Sequence, residues 1–281
     1  MIRANSGKQK TSWFGTESKD IRGMTILDKE LFVVIEKSSE VEVYDSMKSD
    51  FRRRWNLKEL FDPTDIASCS INKFLYIFDL KDIGQRKEIL KVDSKGNLLT
   101  KWSGGDDFVW GMSVTDESNV ILTVYDRNKL LEYSPDGKLI REISLPSDAG
   151  VRHPWHSMKL ANGDFMVCQG SKSDDRHRVC LVDADGKLKK SSGDMRGSTI
   201  EQLHCPIHLS VDANGFVMVA DRENIRVLQL DSDLKFQREI VSKEEHGLRH
   251  PARILLDESN GRMFVADNEW NNQQILIFAF I

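Results

Sequence analysis

All seven histidines of this chain lie beyond residue 150: His153, His156, His177, His204, His208, His246 and His250. Arginine accompanies them at Arg152, Arg176, Arg178, Arg222, Arg249 and Arg253. A guanidinium forms bidentate pairs with carboxylates or phosphates and stacks on aromatic faces. Trp110, Trp155 and Trp270 supply such faces. Basic groups interleaved with rings suit single-stranded RNA, through backbone attraction and base stacking. They suit an acidic protein or peptide partner equally, with Trp and Arg as anchors. The plainer reading packs Trp110 and Trp155 between structural units and pairs the arginines with neighbouring acids. Asp106, Asp107, Asp126, Asp174, Asp175, Asp221, Glu223, Asp267 and Glu269 are available for that. This mixture of signs argues against strong nonspecific nucleic-acid binding, and DNA is not expected.

A second constellation is positional. His156 and His208 occupy the same slot, Pro-x-His, in Pro154-Trp155-His156 and Pro206-Ile207-His208. Arg22, Asp65 and Arg253 open comparable segments. Three converging His or carboxylate groups could hold a metal with one open position. The simpler expectation is two histidines hydrogen-bonded to backbone, with no metal and no cofactor. Asp183-Ala184-Asp185-Gly186 looks faintly like a calcium loop but lacks the flanking helices and the closing bidentate Glu. No nucleophile elbow, phosphate-binding Gly-rich loop or dinucleotide fingerprint occurs.

The elements that must position these groups repeat. Asp93-Ser94-Lys95-Gly96-Asn97-Leu98, Ser134-Pro135-Asp136-Gly137-Lys138-Leu139 and Asp183-Ala184-Asp185-Gly186-Lys187-Leu188 are one turn written three times, with Asp231-Ser232-Asp233-Leu234 a shortened fourth. Asp or Asn beside Gly supplies the positive φ of a tight hairpin. A hairpin recurring every forty-odd residues signals a repeat array. Each unit opens with a short strand, near residues 21, 63, 109, 154, 206 and 251. Each continues with a β-rich run such as Phe74-Leu75-Tyr76-Ile77-Phe78 or Phe216-Val217-Met218-Val219-Ala220. An alternating third strand and a polar fourth follow. Four short antiparallel strands per unit, six times over, predict an all-β, six-bladed β-propeller. An irregular β-sandwich would leave the six matching openings unexplained.

The last unit stops after its third strand. Lys10-Thr11-Ser12-Trp13-Phe14-Gly15 resembles the fourth-strand exit Leu99-Thr100-Lys101-Trp102-Ser103-Gly104. Residues 8–15 are therefore expected to complete blade six and close the ring, removing a free sheet edge. One domain over residues 1–281 is the simplest organisation, and a closed ring needs no second copy for stability. In such a ring the fourth-to-first and second-to-third strand loops share one face, here called top. The His-, Arg- and Trp-bearing loops of units four to six fall there.

Composition narrows the class. The 281 residues are 40% apolar and 30% charged, with net charge −4. No run of about 18 apolar residues exists, so no membrane span is expected. The N-terminus lacks the apolar core of a signal peptide. Cys69, Cys168, Cys180 and Cys205 form no C-x-x-C pair, which suggests a reducing, cytoplasmic setting.

A family resemblance appears in the fifth unit. Pro206-x-x-Leu209-Ser210-Val211-Asp212-x-Asn214-Gly215, then Val219-Ala220-Asp221-Arg222-x-Asn224-x-Arg226-Val227, resembles the NHL repeat. Unit six matches more loosely, through Pro251, Leu256-Asp257, Asn260-Gly261-Arg262 and Val265-Ala266-Asp267-Asn268. The resemblance implies a recognition module binding protein or single-stranded RNA, often the substrate-recognition part of a tripartite-motif ubiquitin ligase. No RING or B-box zinc ladder lies in this chain. Related six-bladed rings include amidating lyases and calcium-dependent lactonases, so a metal-dependent enzyme with its site at the central channel is the alternative. The lyases place a zinc histidine directly after Pro, where this chain has Trp155, Ile207 and Ala252.

Overall fold

The apolar runs of the second and third strands are nearly continuous rather than alternating. Strands of that kind bury both faces. The structure, a computed structural model, describes residues 19–81, 86–105, 107–269 and 272–279. It is a six-bladed β-propeller. Five blades are four-stranded antiparallel sheets and the sixth shows three strands among the described residues. The inner strands are Ile21–Leu27, Pro63–Cys69, Val109–Val114, Pro154–Lys159, Pro206–Val211 and Pro251–Asp257. The proposed closing segment 8–15 lies outside the described residues.

The core divides into one apolar cluster per blade interface. Blades one and two meet through Phe32, Val34, Val41, Val43, Leu75, Ile77 and Leu90. Blades six and one meet through Phe264, Ala266 and Ile275 against Ile21, Leu31 and Val33. Along one strand, Leu31 and Val33 therefore serve one neighbour while Phe32 and Val34 serve the other, as the two-residue period of a strand requires. The four cysteines are buried and free. Burial pushes the Cys168 and Cys180 thiols up to about 12, which makes them poor nucleophiles.

The hairpin glycines do more than turn the chain. Gly96 and Gly137 have φ of 88° and 82°. A Cβ on Gly96 would lie 2.6 Å from the Trp55 ring of blade one, and one on Gly137 would lie 2.5 Å from Trp102 of blade two. Each turn is thus seated on the outer-strand indole of the preceding blade. Gly137→Ala is expected to lower stability by about 1–2 kcal/mol from backbone conformation alone, with a shift of the Trp102 ring seen as altered near-UV circular dichroism.

All six inner strands share one irregularity. The register slips by one residue near the start of each: between Ile21 and Gly23, Pro63 and Asp65, Pro154 and His156, Pro206 and His208, and Pro251 and Arg253, and opposite Thr123/Val124 in blade three. These bulges re-aim the side chains at the channel mouth.

Candidate functional site

The loops entering the inner strands carry backbone N–H groups that need acceptors. A side chain at the end of the second strand supplies them in blade after blade. Asp79 accepts from Phe61 N and Asp62 N at 3.0 and 2.7 Å. Asp126 accepts from Phe108 N at 2.9 Å. Asp221 accepts from His204 N at 2.7 Å, and Asp267 from Arg249 N at 3.1 Å and from His250 N. Blade four uses Gln169, whose Oε1 accepts from Arg152 N at 2.8 Å. Three acids that the sequence offers as arginine partners, Asp126, Asp221 and Asp267, are therefore engaged by backbone.

In blade five the same carboxylate also carries an ion pair. Asp221 Oδ2 accepts from Arg226 Nε at 2.8 Å and from Asn224 Nδ2 at 2.7 Å. Burial still holds the Asp221 carboxyl above its ordinary value.

The bulges place equivalent residues of the six blades in one layer around the channel: Gly23, Asp65, Gly111, His156, His208 and Arg253. The sequence reading puts Arg22 in this layer. The structure gives that slot to Gly23, because the bulge turns Arg22 outward by one position. Both glycines make room. A Cβ on Gly23 would lie 2.6 Å from Ile66 N, and one on Gly111 would lie 2.7 Å from Trp155 O.

The four side chains of the layer are buried. Asp65 Oδ2 accepts from Met112 N of the next blade at 2.8 Å, and Oδ1 accepts from Ile66 N at 2.9 Å. Burial nevertheless raises its carboxyl to about 6. Arg253 spans the gap left by Gly23: Nη2 donates to Thr64 O at 3.3 Å, and Nε lies 3.9 Å from Asp65 Oδ1. The His156 and His208 rings stack at 3.9 Å with 22° between planes. His208 Nδ1 accepts from Ile254 N at 3.3 Å, which fixes a neutral ring with the proton on Nε2. Burial lowers His156 to about 3 and holds His208 well below the ordinary histidine value. Among the described residues no group of three His, Cys, Asp or Glu is arranged to hold a metal.

Above this layer lie cations and rings. Arg22 Nη2 donates to Glu36 at 2.6 Å, and its guanidinium sits 5.8 Å from the Trp110 ring. Trp110 contacts Phe108 and Trp155, with centroids at 5.3 and 5.1 Å. Trp155 also meets Tyr125 at 5.0 Å and donates from Nε1 to Gly170 O at 3.0 Å. Among the described residues the Arg222 guanidinium has no hydrogen bond or ion pair, and its Nε is buried. Burial first, and then the charges of Arg22 and Arg222, lower Arg253. Guanidiniums from the adjacent blades five, six and one thus lie within electrostatic reach of one another. The Nε of each is buried without an acceptor.

The remaining sequence candidates scatter. His177 is fully buried: Nδ1 accepts from Cys205 N at 2.6 Å and Nε2 donates to Asp174 O at 3.0 Å. It is a strut between loops, its pKa lowered by burial. His204 stands 5.5 Å from it, edge to face. His153 pairs with Asp174 at 2.8 Å and lies against Tyr125 at 4.9 Å. Arg176 faces Asp194 at 3.5 Å, and Arg249 pairs with Glu269. Arg152 is exposed and reaches Ser147 O at 3.4 Å. His250 Nδ1 is buried without a partner. Trp270 and Asp106 lie outside the described residues. Phe108 and Tyr125, absent from the sequence reading, join the aromatic group. Their positions at the two ends of blade three's top loops are the signal that would have found them.

No known-family profile matches the sequence, and no curated protein matches it. Solved structures do. A Bacteroides caccae protein of unknown function aligns at TM-score 0.65 and 13% identity, covering 88% of this chain and 89% of that one. An auxiliary nutrient binding protein from Bacteroides thetaiotaomicron aligns at 0.68 and 13%, covering 93% and 69%. A virginiamycin B lyase from Staphylococcus aureus, a catalytically inactive variant with quinupristin, aligns at 0.62 and 10%, covering 97% and 88%. These neighbours share the six-bladed propeller; at such identities the likeness is one of fold alone. No helix among the described residues is long and apolar enough to cross a membrane.

Proposed function

We propose that the chain is a non-catalytic recognition propeller that binds an acidic segment of a protein partner at the top mouth of its channel. One observation carries this reading. Arg22, Arg222 and Arg253 lie within electrostatic reach of one another there, and each holds a buried Nε donor without an acceptor. An unmade hydrogen bond to a buried charged group costs more than an ordinary one. A carboxylate from a partner would take up these donors, and the Trp110–Trp155 surface would receive an adjacent apolar side chain. The site centres on the channel rather than on the outer loops of blades four and six, where Arg176 and Arg249 already face Asp194 and Glu269. Its setting is a cytoplasmic assembly, with substrate recognition for a ubiquitin ligase as the role that the repeat resemblance favours.

The test is a tryptophan-fluorescence titration with a short acidic peptide carrying one aromatic residue, run beside pooled single-stranded RNA. Saturable change with the peptide and none with RNA is expected. A steeply salt-dependent response to RNA without a peptide response would overturn the reading in favour of nucleic acid.

A further inference from the structure

Blades four and five carry the same arginine in the same place. Arg178 and Arg226 each begin the third strand, directly opposite the residue that ends the second: Gln169↔Arg178 and Asp221↔Arg226. Directly opposed side chains on a sheet face each other at contact distance. In blade five the pair is Asp–Arg at 2.8 Å, with Arg226 7% exposed. In blade four the acid is replaced by Gln169, and Arg178, 5% exposed, is left with a single acceptor, Ala149 O at 2.9 Å. Arg178 Nε and Gln169 Nε2 are both buried without partners. The amide cannot be turned to relieve this, because Oε1 is needed by Arg152 N. A buried guanidinium without its counter-ion is a costly arrangement for a fold to keep.

The space beside Gln169 is open, and Arg178 stands behind its wall. A pocket of about 410 Å³ is lined by Ser147, Gly150, Arg152, Gln169, Ser173 and Arg176, together with the acids Asp148, Asp174 and Asp175. Gly150 has φ of 79°, and a Cβ there would lie 3.0 Å from both Arg176 Nη1 and Arg178 Nη2. Two guanidiniums thus converge on the bare face of a glycine. Asp174 is committed to His153 and to Ser171 N. Asp148 and Asp175 are exposed, so water screens them.

We propose that this blade-four pocket binds a small oxyanion, the phosphate or carboxylate group of a small molecule. Arg176 and the Gln169 amide would be its donors, with Arg178 the buried charge behind them, and the anion would stand in for the carboxylate that blade five carries in its own chain. The acids at its exposed edge would accept from hydroxyl or ammonium groups on the rest of the ligand. This site is independent of the channel mouth.

Thermal unfolding in sodium phosphate, sodium citrate and sodium chloride at matched ionic strength tests it. Phosphate and citrate also stabilise proteins generally, so each response is compared between variants. The unfolding temperature of the unaltered chain is expected to rise with phosphate or citrate along a saturating curve. Gln169→Glu supplies the missing carboxylate; it should raise the unfolding temperature in chloride and abolish the saturating response. Arg176→Ala, at an exposed position, should fold normally and weaken the response at least tenfold in midpoint concentration. Arg222→Ala should leave it unchanged, which separates this site from the channel mouth. A saturating phosphate response against citrate, or the reverse, would identify the anion class. The same response to both anions in the unaltered chain and in Gln169→Glu, or no saturating response to either, would overturn the proposal.

Discussion

Asp221→Ala is expected to be among the most damaging single substitutions in the chain, lowering stability by about 3–5 kcal/mol. The carboxylate holds three donors at once: His204 N, Asn224 Nδ2 and Arg226 Nε. Removing it strips the incoming loop of its acceptor and leaves Arg226 buried without a counter-ion. Arg226 Nη2 would keep only the carbonyls of Thr199 and Gln202. The double variant Asp221→Ala, Arg226→Met should recover part of the loss, because the uncompensated cation is gone. Chemical denaturation of the two single variants and the double variant measures this directly. If the double variant is as unstable as the sum of the singles, the ion pair is not the source of the effect.

Acidification is expected to act through the stacked imidazoles. An unfolded histidine titrates near 6.5, whereas His156 falls to about 3 and His208 lies well below its ordinary value. Between those limits the unfolded chain binds more protons than the folded one, so stability is lost as pH falls below 6.5. Asp65 opposes this. Its carboxyl is raised from 3.8 to about 6, so in that window the folded chain holds the extra proton and gains stability as pH falls. Two imidazoles outweigh one carboxyl, so stability is expected to fall between pH 6.5 and 5. His156→Phe keeps a ring in the stack, and His156 Nδ1 has no partner to lose. It should remove about half of the gross imidazole contribution between pH 6.5 and 5. Urea midpoints across this range provide the measurement. A flat profile for the unaltered chain would contradict the buried, neutral state of the pair.

The fold was legible because its signals are local. The hairpins at Gly96, Gly137 and Gly186 require positive φ wherever they occur, and the second strands read as apolar runs because both faces are buried. The channel layer was legible in part, since the Pro-x-His slot aligned His156 with His208. Arg22 was misplaced within that layer because a β-bulge shifts register by one residue without a composition of its own. The acids are only partly the partners of arginine: Asp221 and Glu269 pair with Arg226 and Arg249, while Asp267 serves backbone. Whether Asp126 or Asp267 faces a guanidinium or a backbone N–H depends on the path of a loop, which pattern does not record. His177 reads as a surface group by its neighbours Arg176 and Arg178, yet its ring fills the gap between two loops. Gln169 attracts no attention in the sequence; it becomes informative only when blades two, five and six show aspartate in its place.

A partner's acid docked at the channel mouth should depend on Arg222 and not on Arg249. Fluorescence anisotropy of one labelled acidic peptide, measured against the unaltered chain, Arg222→Ala and Arg249→Ala, tests it most directly. Among the described residues Arg222 has no side-chain partner to lose, so the variant should fold with unchanged stability and weaken binding about 10–100-fold, or about 1.4–2.7 kcal/mol. Arg249, already paired with Glu269 on the outer loop, should be replaceable with less than a threefold effect. Equal affinity for the unaltered chain and Arg222→Ala, with loss only in Arg249→Ala, would contradict the claim and move the recognition surface to the rim.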